Sequence, residues 1–227
     1  VPEAYDQERE AVLDLYREKG FAAATVDIVV EEIGRSRVQI LYVIHEGKKA
    51  RVKTIEFQGN EVLSDGKLRK TMHTKRAWWF LGGKFQPDVF EEDTQRILDE
   101  YGNFGRLEAE VVETALAYRE NGKKLDITIF VSEGPEYTVE TLGFANNVVY
   151  GDDEIVERLE VREGDVHDRG QLAEDAELIQ KGYEDSGYIN AQVHPQVTLD
   201  RTNKTTHVVH RISEGDLKYI REIKITG

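Results

Sequence analysis

The chain has 227 residues, of which 39% are hydrophobic and 33% charged, with 44 acidic and 30 basic side chains and no cysteine. The hydrophobic content excludes a disordered chain, and the absence of cysteine excludes disulfides and thiolate metal sites. The formal net charge of −14 argues against a nucleic-acid partner, because a phosphate backbone is bound by a basic surface.

Neither a membrane-spanning helix nor a leader sequence is predicted. No apolar stretch approaches the roughly 18 residues that such a helix needs. Val1 follows neither a signal peptide nor an initiating methionine, so we expect the chain to be a segment of a longer protein.

The first predicted element is an amphipathic helix that ends near Tyr16. Tyr5, Val12 and Tyr16 recur with the spacing i, i+7, i+11, which only a helix brings to one face. Gly20 follows at the position where helices commonly end in a left-handed residue. This apolar stripe is predicted to face a core.

A β-hairpin is predicted next, from two runs of β character over residues 24–30 and 38–44. In the first run, polar side chains alternate with apolar ones, which is typical of a strand with one wet face. The predicted inner positions are Ala24, Val26, Ile28 and Val30.

The following residues repeat this helix and hairpin twice, each time after an added strand and short helix. The pattern Y-x-x-x-G-x-x-x-A-x-V starts at Tyr16, Tyr101 and Tyr183, and a Glu-Gly pair closes each copy. The predicted strands are residues 52–57, 109–116, 125–131, 137–144, 189–199 and 206–212. The closing pairs are Glu46-Gly47, Glu133-Gly134 and Glu214-Gly215.

The front of the repeat is present twice in full, at a constant offset of 87 residues. Ser64 is suited to cap the first short helix. Each unit therefore reads β-α-α-β-β, and residues 219–227 repeat its first strand once more. Split at the Glu-Gly pairs, residues 50–134 hold 13 basic and 15 acidic side chains, whereas residues 135–227 hold 10 and 19.

Four motifs recur in this order: the turn Phe57-Gln58-Gly59-Asn60, the helix start Phe90-Glu91-Glu92-Asp93, the Y-x-x-x-G helix end and the closing Glu-Gly pair. Together they resemble the polypeptide-transport-associated (POTRA) repeats of the BamA family of outer-membrane assembly factors. The resemblance covers essentially the whole chain. It implies an α+β fold of tandem modules, each a three-stranded mixed sheet with two helices on one face. Arg106 departs from the family, which favours an aromatic residue there.

The predicted domains follow the repeats. They are the second half of a repeat at residues 1–49, complete repeats at 50–134 and 135–215, and the first strand of a further repeat at 216–227.

The resemblance implies a periplasmic polypeptide-binding scaffold, attached to the outer membrane through a C-terminal barrel of the same chain that is not in this segment. Its partners would be unfolded outer-membrane β-barrel proteins and accessory lipoproteins, without a cofactor, metal or nucleic acid. A client would add a strand to the free edge of a sheet, an interaction that reads sequence weakly because main-chain hydrogen bonds supply the affinity.

The strand after each Y-x-x-x-G helix is the implied edge, over residues 23–31, 107–116 and 189–199. Pro195 protects the third edge, whereas the first has neither proline nor glycine and is the most open template. Alternatively, these edges are solvated or contact a neighbouring repeat. The predicted client contacts are Thr25, Asp27, Val29, Glu110 and Val112.

The second repeat carries about five extra residues between its helices, and these include both tryptophans of the chain. The sequence Trp78-Trp79-Phe80 lies among basic residues and precedes Gly82-Gly83. One interpretation is a loop that contacts a partner or a membrane surface. The other is a loop that folds over its own helix pair as a small core.

Catalysis is not predicted. Of the six histidines, only His207 and His210 have a metal-type spacing, and on a strand these two face opposite sides. All six are expected at the surface. Glu8, Asp93 and Asp175 recur eight residues before each Tyr, where we interpret them as first-turn acids that complement the helix dipole. Two alternatives to the assembly scaffold stay open, a two-partner-secretion or related transport pore with the same modules, and an enzyme on an α+β fold.

Overall fold

The computed structural model describes residues 5–33, 37–78 and 82–219. The chain forms two compact units. Unit 1 comprises Val1–Leu98 and Glu110–Glu133, and unit 2 comprises Asp99–Ala109 and Gly134–Gly227. The division falls inside a helix rather than at a Glu-Gly pair, so the predicted domain bounds describe sequence repetition and stay a prediction.

Unit 1 begins with a helix and a hairpin and continues with a full repeat. Its last long helix, α3, ends in unit 2. The elements are α1 (Asp6–Glu18), β1 (Thr25–Glu32), β2 (Val38–His45), β3 (Arg51–Gln58), α2 (Asp65–Thr71), α3 (Pro87–Gly102), β4 (Glu110–Arg119) and β5 (Lys124–Ser132).

Unit 2 contains the next repeat, with the same order of elements. They are β6 (Thr138–Ala145), α4 (Asp152–Val156), α5 (Arg169–Asp185), β7 (Gln192–Asp200) and β8 (Thr205–Ser213). Tyr219 is the last described residue, so the predicted further strand lies outside the described part of the chain.

The sheets confirm the predicted fold class. β3 pairs parallel with β5 and β4 pairs antiparallel with it, which gives a three-stranded mixed sheet of order β3-β5-β4. The order β6-β8-β7 repeats this topology. β1 and β2 form a two-stranded antiparallel sheet that corresponds to β4 and β5.

The cores lie between each mixed sheet and its helices. The central strand β5 alternates buried and half-buried positions, as expected when one face is covered. The predicted helix stripes are buried in α3 and α5, whereas α1 buries none of its residues fully. The buried stripe residues are Phe90, Ile97, Tyr101, Leu172, Ile179 and Tyr183.

Each long helix ends two or three residues before its predicted glycine, and each glycine also joins its helix to the start of the following repeat. Gly20, Gly105 and Gly187 have φ values of +85°, +69° and +95°. Their carbonyls accept hydrogen bonds from the backbone N–H groups of Ala50 (3.3 Å), Tyr137 (2.9 Å) and Lys218 (2.9 Å). We call this recurring bond the glycine joint.

The strand after each glycine begins one to three residues later than predicted. The residues between form a turn, in which Ala24, Ala109 and Ala191 each donate a backbone hydrogen bond to the carbonyl three residues earlier. The recurring alanine of the sequence pattern therefore closes a turn rather than opening a strand.

Candidate functional site

Each predicted client-binding strand lies at the edge of its sheet. β4 is an outer strand of β3-β5-β4, β7 is an outer strand of β6-β8-β7, and β1 pairs only with β2. Within the described residues, no further strand covers their outer sides. Such an edge presents main-chain N–H and C=O groups that can pair with another chain.

The opposite edge of the β3-β5-β4 sheet is partly covered by the segment between α2 and α3. The N–H of Val52 donates to the carbonyl of Gly83 (2.7 Å), and the N–H of Ala77 donates to the carbonyl of Val52 (2.8 Å). Ala77 and Gly83, in the longer inter-helix segment of the second repeat, therefore lie beside the edge of β3.

The equivalent segment covers β6 in the same way. Val139 donates to Asp165 (2.8 Å) and Gly164 donates to Val139 (2.7 Å), again through backbone groups. This cover could not be read from the sequence, because backbone pairing leaves no side-chain pattern. It makes β4 and β7 the more open edges of their sheets.

β1 places its three predicted contacts on the exposed side. Thr25, Asp27 and Val29 are exposed and alternate with buried Val26 and Ile28. β1 and β2 pair in unbroken register. The predicted inner position Val30 is instead 38% exposed, so the buried face of this strand ends at Ile28.

β4 is interrupted at one of its two predicted contacts. Glu110 and Val112 are both exposed, but the register with β5 shifts between Val111 and Glu113, which leaves Val112 at a β-bulge. Bulges at sheet edges discourage the pairing of another strand. The regular part of the β4 edge runs over residues 113–119.

β7 contains Pro195, which lies opposite His210 in the register with β8. Proline has no backbone donor, so it weakens this edge as a template. A groove of about 350 Å³ lies beside the strand and was not predicted. It is lined by Leu107, His167, Arg169, Leu172, Pro195, Val197 and Leu199.

The aromatic loop is described only in part. Trp78 is 74% exposed, which favours a contact surface over a small core for this residue. Trp79 and Phe80 lie outside the described residues. Phe85, at the end of the segment, is buried and its ring centroid lies 5.7 Å from that of Phe90.

The recurring acids of α3 and α5 have a different role from the predicted one. Asp93 and Asp175 are fully buried at the seventh position of their helices, whereas only Glu8 lies in a first turn. The two carboxylate oxygens of Asp175 accept the N–H groups of Glu160 and Val161, both at 3.0 Å. Each acid therefore holds the segment between its two helices.

Asp93 shows the same arrangement in unit 1. Its carboxylate accepts the N–H groups of His73 (2.5 Å) and Thr74 (2.7 Å). Arg96 also donates to it at 2.9 Å. In each unit the carboxylate accepts two backbone N–H groups of the segment between the helices, so this arrangement is a repeated structural feature of the module.

The closing glutamates hold the turn after the first strand. Glu133 accepts the N–H of Val62 at 2.8 Å, and Glu214 accepts the N–H groups of Val148 (2.7 Å) and Val149 (2.8 Å). Tyr183 Oη also donates to Glu214 at 2.9 Å. Burial, together with this bond, raises the pKa of Tyr183, so the phenol stays a neutral donor.

Two histidines contradict the prediction that all six lie at the surface. His167 and His210 are buried, and burial lowers the pKa of both, that of His167 to about 4. His167 Nδ1 lies 3.0 Å from Thr206 Oγ1. His210 stacks on Phe144, and neither ring nitrogen has a hydrogen-bond partner among the described residues.

The described residues give no support to a metal centre or a membrane span. No group of three or more His, Asp or Glu side chains among them could hold a metal ion. In the same residues, no helix has both the length and the apolar composition needed to cross a bilayer.

A sequence model of the POTRA family, described as surface antigen variable number repeat, matches residues 50–134 and 137–215. The chain is 30% identical over 205 residues to the outer membrane protein assembly factor BamA of Neisseria meningitidis serogroup B, which covers 87% of this chain and 26% of that protein. It is 24% identical over 233 residues to BamA of Nitratidesulfovibrio vulgaris, over 97% of this chain and 29% of that protein. The chain thus spans less than a third of the length of these relatives.

Among solved structures, the crystal structure of Haemophilus influenzae BamA POTRA3-5 is similar to this chain. It aligns with a TM-score of 0.57 and 27% sequence identity, over 74% of this chain and 67% of that one.

Proposed function

This chain belongs to the POTRA family, and we propose that it forms the periplasmic, polypeptide-binding part of an outer-membrane β-barrel assembly factor of the BamA type. It receives unfolded outer-membrane proteins by strand addition and docks accessory lipoproteins. A C-terminal barrel of the longer protein, which is not in this segment, holds it at the outer membrane. The similarity to BamA proteins over nearly the whole chain supports this assignment over an export pore.

The role is binding rather than catalysis. No set of acid, base and nucleophile converges in the described residues, and the recurring acids are occupied by backbone N–H groups. The family is one of scaffold repeats.

The observation that carries the proposal is the difference between the three edges. β4 has a bulge at Val112 and β7 contains Pro195, whereas β1 pairs in unbroken register. An incoming strand needs consecutive, evenly spaced main-chain groups, so β1 is the best template. Thr25, Asp27 and Val29 on its exposed side would contact the client.

An NMR titration with peptides from outer-membrane β-strands is expected to shift the backbone amide signals of residues 25–31. Main-chain pairing predicts that binding depends only weakly on peptide sequence. Scrambled peptides of matched hydrophobicity therefore test whether the register of the peptide matters, and they do not test its composition. Shifts confined to the segment around Trp78 would make the aromatic loop the contact instead. No shifts at millimolar peptide would overturn the proposed role of β1.

Val30→Pro is expected to weaken peptide binding about threefold to tenfold, because the N–H of Val30 faces away from β2 and one or two main-chain hydrogen bonds to the peptide would be lost. Val197→Pro in β7 is the matched control, since Val197 shares the phase of Pro195 on an edge that we do not expect to bind. The dispersion of the amide spectrum shows whether each variant is folded. Equal weakening by both substitutions would contradict the assignment to β1.

A further inference from the structure

Unit 1 of this acidic chain carries a strongly basic surface, which charge averaging over residues 50–134 conceals. Three adjoining cavities of about 270, 490 and 630 Å³ share Arg51 in their linings. Among the described residues that line them, Glu120 is the one acidic side chain, and it pairs with Lys124. The basic side chains that line them, here called the basic face, are Lys48, Lys49, Arg51, Lys53, Lys75, Lys84, Lys123 and Lys124.

Backbone pairing brings these charges together from three separate segments. Arg51 pairs in register with Lys124 on β5, and on its other side its backbone forms an isolated antiparallel β-bridge with Lys84. The N–H of Arg51 also donates to the carbonyl of Lys123 at 2.9 Å. These bonds place the like charges on neighbouring backbones, so the charges repel one another and a bound anion would relieve that repulsion.

The central cavity is the most specific part of the basic face. Its volume of about 490 Å³ lies in the range of small-ligand sites. The described residues that line it are Lys48, Lys49, Arg51, Lys84 and Phe21. Lys49 Nζ lies 5.3 Å from the centroid of the Phe21 ring.

Clustered lysine side chains around one concave site favour a phosphate group, since their ammonium donors match its oxygens. None of the described residues that line the central cavity is a carboxylate. Lys48, Lys49 and Lys84 form no ion pair within the described part of the chain. The site therefore has unused positive charge at its rim.

An aromatic side chain beside the cavities indicates the source of the phosphate. Ala77 lines the largest cavity, and the next residue, Trp78, is 74% exposed. Tryptophan is enriched at the level of lipid headgroups, and clustered Lys and Arg side chains attract anionic lipids. A soluble phosphate would need the basic cavity but not the exposed indole.

We propose that the basic face binds the phosphate groups of anionic lipid headgroups, with Trp78 at the membrane surface. This proposal does not rest on strand binding at β1. The contact would hold unit 1 against a bilayer.

Flotation of the chain with phosphatidylcholine vesicles, with and without phosphatidylglycerol, tests the proposal. We expect binding only when phosphatidylglycerol is present, with loss at high salt because exposed charges are screened. A shift of the tryptophan emission to shorter wavelength should accompany binding, and both tryptophans of the chain lie in the one loop. Equal binding to both vesicle types would overturn the proposal.

The triple variant Lys48→Gln, Lys49→Gln, Lys84→Gln is expected to bind the anionic vesicles about tenfold to 100-fold more weakly. The matched control is Arg162→Gln, Lys181→Gln, Lys218→Gln, which removes the same charge from exposed positions of unit 2. Equal loss in both variants would mean that net charge alone matters, and the basic face would not be a site.

Two soluble probes distinguish other anions. Inorganic phosphate that shifts the amide signals of residues 48–51 as strongly as vesicles do would overturn the lipid source. Polyglutamate that competes fully with the vesicles at equal charge would show a surface for acidic polypeptides, and would also overturn it. Weak effects of both probes beside strong vesicle binding support the lipid surface.

Discussion

Replacing Asp175 by alanine is expected to lower the free energy of unfolding of unit 2 by about 3–5 kcal/mol. Its two carboxylate oxygens accept the N–H groups of Glu160 and Val161 in a fully buried position. Alanine would leave both donors buried without a partner and would release the segment between α4 and α5. Urea unfolding, followed through amide signals of β8, measures the loss.

Glu177→Ala is the control for this substitution. Glu177 is exposed on the same helix, so its loss should change stability by less than about 0.5 kcal/mol. Asp93→Ala should reproduce the large effect in unit 1, where His73 and Thr74 supply the N–H groups. A loss below about 1 kcal/mol for Asp175→Ala would contradict the role given to the carboxylate.

Unit 2 is expected to lose about 3 kcal/mol of stability from His167 alone as the pH falls from about 7 to 4. Burial, with help from the nearby charge of Arg169 and against that of Asp168, lowers the pKa of His167 to about 4 in the folded chain. The unfolded histidine, with a pKa near 6.5, binds its proton first. Stability is therefore full above pH 6.5 and is lost as the pH falls towards 4.

His210 adds to the same acid sensitivity, because burial lowers its pKa also, opposed by the charge of Asp175. His210→Phe would keep the stacking on Phe144 and remove a buried ring whose nitrogens have no partner in the described residues. His167→Asn would keep a group able to bond Thr206.

Urea unfolding at pH values between about 7.5 and 5.5 checks this, since few carboxylates titrate there. The double variant should show a flatter pH dependence in unit 2 than the unchanged chain. His73→Asn, at an exposed position, is the control and should leave the slope unchanged. A slope that is the same in all three proteins would contradict the assignment.

Sequence repetition identified the two buried acids of α3 and α5 as recurring positions, but it did not reveal their hydrogen-bond partners. Asp93 and Asp175 were found by their phase with Tyr101 and Tyr183, yet their partners are backbone groups 14 to 20 residues earlier in the chain. Backbone donors carry no residue identity, so no sequence pattern could reveal them. The element order was predictable because it depends on local periodicity and on glycine.

The burial of His167 and His210 escaped prediction for a related reason. Both residues occupy positions of one repeat, without a histidine at the matching place in the others, so comparison of the copies gave no signal. His210 lies on β8, where buried and half-buried positions alternate, and this alternation places it on the buried side. The alternation along the strand could therefore have predicted the burial of His210. The prediction of an exposed position followed instead from the polar character of histidine.

The basic face was missed because charge was averaged along the sequence. Lys48, Lys84 and Lys124 come from separate segments and meet only after β3 pairs with β5 and with the inter-helix segment. Counting charges over residues 50–134 sets them against acids on other surfaces. Spatial clustering depends on strand register, which the repeat pattern did not fix.

The glycine joint has a consequence for where the chain can be cut. Unit 2 includes residues 99–109 from the end of α3, where Gly105 bonds Tyr137 and Asn103 accepts the N–H of Gly170. A fragment that starts at Pro135 would keep every element from β6 to β8 but lose these partners. We therefore expect a fragment that starts at Pro135 to be less stable than one that also keeps residues 99–109.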